Sequence, residues 1–310
     1  MQAASQVTSG IDRVRLRAGD SALDLHPEIG GAIGAFWSEI AGHRIDWLRP
    51  ASDRAVAEGD VEGMACFPLV PFSNRVRAGR FEFDGIAAFV PPSPGPHAEH
   101  GHGWRRPWRT VRRTPEQATI EFEMRAPDWP FPYRARQSFE LASRRLCVEL
   151  SVENLSTRAM PLGVGLHPYF PCTPRCRLQA SVSGMWTIDP EVMPVDLVEP
   201  PPAHADLRNG IAPAGIELDN CFPGWDGEAR IEWPEHGAFL SMRSRAPQRF
   251  LVVYSPKGEG YFCAEPVSNC TDAFNLASAG RTDTGIVRLL GGRTITTTTI
   301  FEAGINGGKT

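Results

Sequence analysis

The chain has 310 residues, room for two average domains or for one large β-rich domain. Lys plus Arg number 32 against 36 Asp plus Glu, a formal charge of −4. That excludes a general nucleic-acid binder, which needs a basic surface to displace phosphate counterions. A hydrophobic fraction of 42% sustains a globular core, and 30 Gly with 28 Pro leave little room for long helices.

Residues 1–16 lack the basic start and apolar stretch of a secretory signal. No apolar run reaches the roughly 18 residues of a membrane span. The seven cysteines are an odd number, and their spacing suggests no disulfide ladder, so a reduced, cytoplasmic setting is expected. Cys172 and Cys176 lie four apart, but no second pair follows to complete a zinc site.

Period-two alternation begins at Val14 and Leu16 and resumes at Leu23 and Leu25. It returns at Ile120, Phe122 and Met124. Phe139 and Leu141 then lead into a turn at 143–145, and Leu146, Val148, Leu150 and Val152 come back on one face, which predicts a hairpin. A second hairpin is predicted over 229–242, turning at Pro234-Glu235-His236-Gly237. The Thr-rich stretch 293–303 favours strand, because β-branched side chains fit a pleated surface. Proline clusters at 91–96 and 200–202 read as loops. No segment of period 3.6 exceeds about two turns, and no fixed-period repeat occurs. The pattern predicts an all-β, antiparallel sandwich or barrel. It forms a single domain over 1–310, with residues 1–10 and 304–310 as flexible tails.

Five segments place polar groups where the strand pattern breaks. In Phe72-Ser73-Asn74-Arg75-Val76, Arg75 is either an edge-strand charge or a guanidinium held to donate to sugar-like hydroxyls. The stretch 97–108 holds His97, His100 and His102 with Trp104 and Trp108; its Gly and Pro content favours a loop over a metal-binding strand. In Gly165-Leu166-His167-Pro168-Tyr169-Phe170 the proline restricts His167 to extended backbone. A histidine titrating near neutrality there suits general acid work if it lines a cleft. Asp219, in Leu218-Asp219-Asn220-Cys221-Phe222, stands between apolar neighbours; a carboxylate buried there needs partners, and hydroxyls serve. Glu265, in Tyr261-Phe262-Cys263-Ala264-Glu265-Pro266, has an apolar and aromatic surround that raises its pKa toward that of a general base.

Taken in order, Asn74-Arg75, His100-Gly101 with Trp108, His167-Pro168-Tyr169-Phe170, Leu218-Asp219 with Phe222, and Glu265-Pro266 resemble the aldose 1-epimerase (galactose mutarotase) family. The resemblance runs from about Val14 to Phe301. It implies an antiparallel β-supersandwich and interconversion of the α and β anomers of a free aldose. By the same resemblance Glu265 takes the proton of the C1 hydroxyl and His167 protonates the ring oxygen. Arg75, His100 and Asp219 bind the substrate sugar, and neither organic cofactor nor metal is required. The chain departs from the family's pattern in its short 101–107 spacer and in Glu99 before the His-Gly pair. His102 is also followed by glycine and competes with His100. Trp225 or Trp186 is a candidate apolar face for the sugar.

Two other readings stay open. Arg105 and Arg106 suit the phosphate of a hexose 6-phosphate. The same fold also serves carbohydrate binding without turnover. Oligomeric state and pathway are not legible.

Overall fold

The computed structural model of the protein describes residues 13–92, 95–125 and 129–306. Two large antiparallel sheets dominate it. The first has nine strands. Its spatial order is Val14–Ala18, Ser21–His26, Ala32–Ile40, Cys66–Leu69, Gly165–Pro171, Tyr261–Val267, Phe250–Ser255 and Leu218–Pro223, with His43–Asp46 added beside Ala32–Ile40. The second has eight, ordered Arg109–Arg113, Gln117–Met124, Tyr133–Ala142, Arg145–Asn154, Thr294–Ile305, Ala238–Ser244, Glu228–Trp233 and Arg177–Ala180. The fold is all-β and antiparallel, as the alternation predicted.

The second sheet explains why its strands were easy to read. Along Tyr133–Ala142, Tyr133, Ala135, Phe139 and Leu141 are buried, while intervening residues reach solvent. One face packs on the core and the other is wet, so hydrophobicity alternates with the pleat. The predicted hairpin closes with Ala142 opposite Arg145, and the turn residue Arg144 has φ +54°. The 229–242 hairpin also forms, with Trp233 opposite Ala238.

The central strands of the first sheet are buried on both faces. Every residue of Cys66–Leu69 is buried, and so is Tyr261–Val267 beyond its first residue. Alternate side chains belong to different apolar clusters. Cys66, Phe170, Phe262 and Ala264 pack between the sheets, while Phe67, Tyr169 and Cys263 pack on the opposite face. Period-two geometry therefore carries His167 and Glu265 to that second face along with Tyr169 and Cys263.

Only two short α-helices occur among the described residues, Asp53–Glu58 and Ala273–Ser278, and none is long and apolar enough to cross a membrane. The last strand continues through Gly304 and Ile305, beyond the expected start of the C-terminal tail, because Phe239 and Ala238 pair with them. The expected tail at 1–10, and residues 307–310, lie outside the described residues. Pro91, Pro92, Gly95, Pro96 and 200–202 stand outside helices and strands, while Ser93 and Pro94 are not among the described residues. All seven cysteines carry free thiols.

Candidate active site

The strand Gly165–Pro171 lies between Cys66–Leu69 and Tyr261–Val267. Its register pairs His167 with Phe67 on one side. On the other side, Gly165 opposite Val267 and Tyr169 opposite Cys263 bracket His167 and Glu265 as cross-strand neighbours. Directly opposed side chains on one face meet. Accordingly, His167 Nε2 stands 3.3 Å from Glu265 Oε1.

Both groups sit at the floor of a cleft of about 290 Å³. Arg75, His100 and Asp219 line the same cleft, so all five residues singled out from sequence converge on one cavity. Glu265 is 2% exposed and His167 6%. Among the described residues, Oε2 of Glu265 has no hydrogen-bond partner. The His167 ring packs on Phe67 (centroids 4.5 Å apart) and Tyr169 (4.8 Å), which fix its plane.

Arg75 occupies a two-residue strand, Arg75–Val76, paired with Ala98–Glu99. Its guanidinium is 3.0 Å from Glu99 and 3.8 Å from Asp219. Asn74 has φ +57°, a conformation asparagine tolerates better than most residues, and its side-chain oxygen accepts from the Arg75 backbone N–H at 2.9 Å. His100 is also left-handed, at φ +55°. The following Gly101 fits where a Cβ would stand 2.3 Å from the Val70 carbonyl oxygen.

His100 Nδ1 accepts from the Asn74 backbone N–H at 3.1 Å. That bond requires a lone pair on Nδ1, so the ring's proton resides on Nε2. Burial, with Arg75 and then Arg105 nearby, lowers the His100 pKa to about 3, so the ring is neutral near pH 7. His102 does not reach the cleft lining: it is buried behind it, Nδ1 3.3 Å from the Tyr133 hydroxyl. His97 turns away too, its Nδ1 accepting from Ala78 N–H. The three histidines thus diverge, and among the described residues no group of three or more metal-ligating side chains forms.

Burial pushes the Glu265 pKa well above the usual carboxyl range, with the Asp219 charge adding to it. Burial drives the His167 pKa well below its ordinary value, and the neighbouring His100 lowers it further. The lowered histidine corrects the expectation of a group titrating near neutrality. Charged imidazolium loses its hydration there, and the positive charges of Arg49 and Arg75 disfavour it further. At 3.3 Å the two groups are close enough for the charge of one to bear on the protonation of the other. Asp219 is held up at about 6 by burial, against the pull of Arg75.

The aromatic wall differs from the one expected. Trp225 is buried elsewhere, its indole N–H donating to the Glu228 carbonyl, and Trp186 lies under Arg281. Trp108 is buried with its N–H on the Gly103 carbonyl. Trp104 lines the cleft instead, stacked on Phe67 at 5.2 Å. Tyr254 and the carboxyl groups of Glu62 and Glu99 complete the mouth. Glu62 and Tyr254 escaped the sequence reading because neither breaks its local pattern. Arg49 anchors the Glu62 rim: it donates to the Glu62 and Met64 carbonyls at 2.7 and 2.6 Å and lies 4.0 Å over Tyr169.

The family model described as aldose 1-epimerase matches residues 12–302. An uncharacterized protein of Escherichia coli K12, YphB, is 34% identical over 274 residues, spanning 86% of this chain and 91% of its own. A solved structure of a candidate aldose 1-epimerase from the same organism superposes with a TM-score of 0.85 at 29% identity, covering 95% of this chain and 99% of that one. A galactose mutarotase-like protein from Clostridium acetobutylicum shares the fold at 21% identity, with a TM-score of 0.84 and coverage of 94% and 95%. Matched along nearly its whole length, the chain belongs to the aldose 1-epimerase family.

Proposed function

We propose that this protein interconverts the α and β anomers of a free hexose by opening and closing the pyranose ring. The observation that carries the reading is the 3.3 Å contact between His167 Nε2 and Glu265 Oε1 on the cleft floor. O1 and O5 of a pyranose are both bonded to C1. A sugar seated with C1 over the pair therefore offers one oxygen to each group.

Glu265 takes the proton of the C1 hydroxyl as His167 protonates the ring oxygen. The C1–O5 bond breaks, and the free aldehyde turns about C1–C2. Ring closure on the other carbonyl face reverses both transfers. In the empty cleft, burial favours the uncharged pair, with the shared proton on the carboxyl group. A hydroxyl donating to Glu265 and a ring oxygen accepting from His167 favour the opposite form, with the imidazole protonated. His100 Nε2–H and Arg75 donate to sugar oxygens, and Asp219 accepts from a hydroxyl. Trp104 offers an apolar face to ring C–H groups.

The charge of the lining favours an uncharged sugar over a hexose 6-phosphate. Glu62, Glu99 and Asp219 line the cleft beside the buried Glu265, with Arg75 the one guanidinium among the lining residues. Polarimetry of freshly dissolved α-galactose and α-glucose tests the reading: the protein should shorten the approach to anomeric equilibrium in proportion to its concentration. Sugar binding by calorimetry without acceleration would leave a non-catalytic binder.

Asp219 adds a pH dependence. Its pKa stands at about 6, so below that pH it becomes a carboxylic acid and loses acceptor capacity toward a sugar hydroxyl. KM for the sugar should rise as pH falls through about 6 and stay flat above. Asp219→Asn should abolish the step, whereas a step persisting in that variant would assign it to another group. Arg75 and Glu99 face Asp219, the first lowering its pKa and the second raising it.

A further inference from the structure

The residues that touch the sugar on the proposed reading come from segments far apart in the chain, and something must hold those segments in register. Ser268 and Asn269, immediately after the Glu265 strand, are 0% and 1% exposed. The Asn269 side chain grips the turn that carries Arg75. Its Oδ1 accepts from Ser73 N at 3.3 Å and from Ser73 Oγ at 3.0 Å. Its Nδ2 donates to the Ser73 carbonyl at 3.3 Å and to the Cys270 carbonyl at 2.9 Å.

Ser268 grips the segment that leads to His167. Its hydroxyl accepts from Val164 N at 2.9 Å, and its own N–H donates to the Val164 carbonyl at 2.8 Å. Gly163 makes room for the arrangement, since a Cβ there would lie 2.0 Å from Asn269 Oδ1. Further on, Asp272 N–H donates to the Arg75 carbonyl at 2.8 Å. Three chain segments, bearing Arg75, His167 and Glu265, thus meet at one buried dipeptide.

We propose that Ser268-Asn269 is the positioning element of this site, with the Asn269 carboxamide setting Arg75 relative to Glu265. It rests on the mutarotase reading above. Asn269 touches no sugar itself; it acts through the Ser73-Asn74-Arg75 turn. A displacement of that turn by about 1 Å can cost up to roughly 100-fold in rate.

The test is a double-mutant cycle between Asn269→Ala and Arg75→Ala, read as galactose kcat and KM by polarimetry and as galactose affinity by calorimetry. Asn269→Ala should lower kcat/KM by about 10- to 100-fold, mainly by raising KM. With Arg75 already alanine, the same change should cost less than about twofold. Equal losses in both backgrounds would mean general weakening of the fold and would overturn the proposal. Should Asn269→Ala fail to fold, Ser73→Ala removes the hydroxyl and keeps the backbone bonds. Its smaller loss should vanish in the Arg75→Ala background, and an additive loss overturns the proposal as well. Absence of acceleration by the unmodified protein sinks the mutarotase reading alone, because the cycle still decides on galactose affinity. Failure to bind galactose or glucose at all sinks both.

Discussion

Glu265→Gln is expected to slow enzyme-catalysed anomer exchange by about 10²- to 10⁴-fold, the range typical for loss of a positioned general base. The substitution is nearly isosteric, but an amide takes no proton from a C1 hydroxyl. Its NH₂ group also places donors where the proposed sugar offers a hydroxyl proton. The fold should tolerate the change. Glu265 is 2% exposed and its pKa is pushed well up, so an uncharged side chain removes a desolvated carboxyl rather than a stabilising charge. Galactose affinity by calorimetry should survive within a few-fold while the polarimetric rate collapses. Full activity in the variant would remove Glu265 from the mechanism.

His167→Asn should cost a similar factor, and the double variant should be little worse than either single one. The reason lies in the geometry. The two side chains are in contact and act on oxygens of the same carbon, so removing one idles the other. Two independent contributions would instead multiply. The pH profiles carry the same message. Burial moves the Glu265 pKa up and the His167 pKa down, so between the two pKa values the pair holds one proton, on the carboxyl group when no sugar is bound. Turnover should be flat through that interval. It should fall at low pH, when the pair gains a second proton, and at high pH, when it loses the one it has.

The legible parts of this protein share a physical feature. Where one face of a strand is wet, as along Tyr133–Ala142, hydrophobicity alternates and both strand and hairpin can be read from sequence. Where both faces are covered, as in Cys66–Leu69, alternation vanishes and the sequence reads as an undivided apolar run. The cleft is built on those covered strands. Its floor was legible because His167 and Glu265 are polar residues interrupting such runs. Its aromatic wall was not, because Trp104 and Phe67 look like any core residue. Choosing Trp225 or Trp186 for that wall failed on long-range pairing, which no local pattern encodes. The protonation of His167 was misjudged for a related reason, since desolvation is a property of the assembled sheet.

The contact between imidazole and carboxyl has one more implication. On the proposed assignment, a hydrogen nucleus lent at ring opening is returned at ring closure within the same two side chains. Each cycle closes without trade with the bulk medium. Turnover should therefore be indifferent to the concentration of external buffer, and the catalyst should be reset the moment product departs.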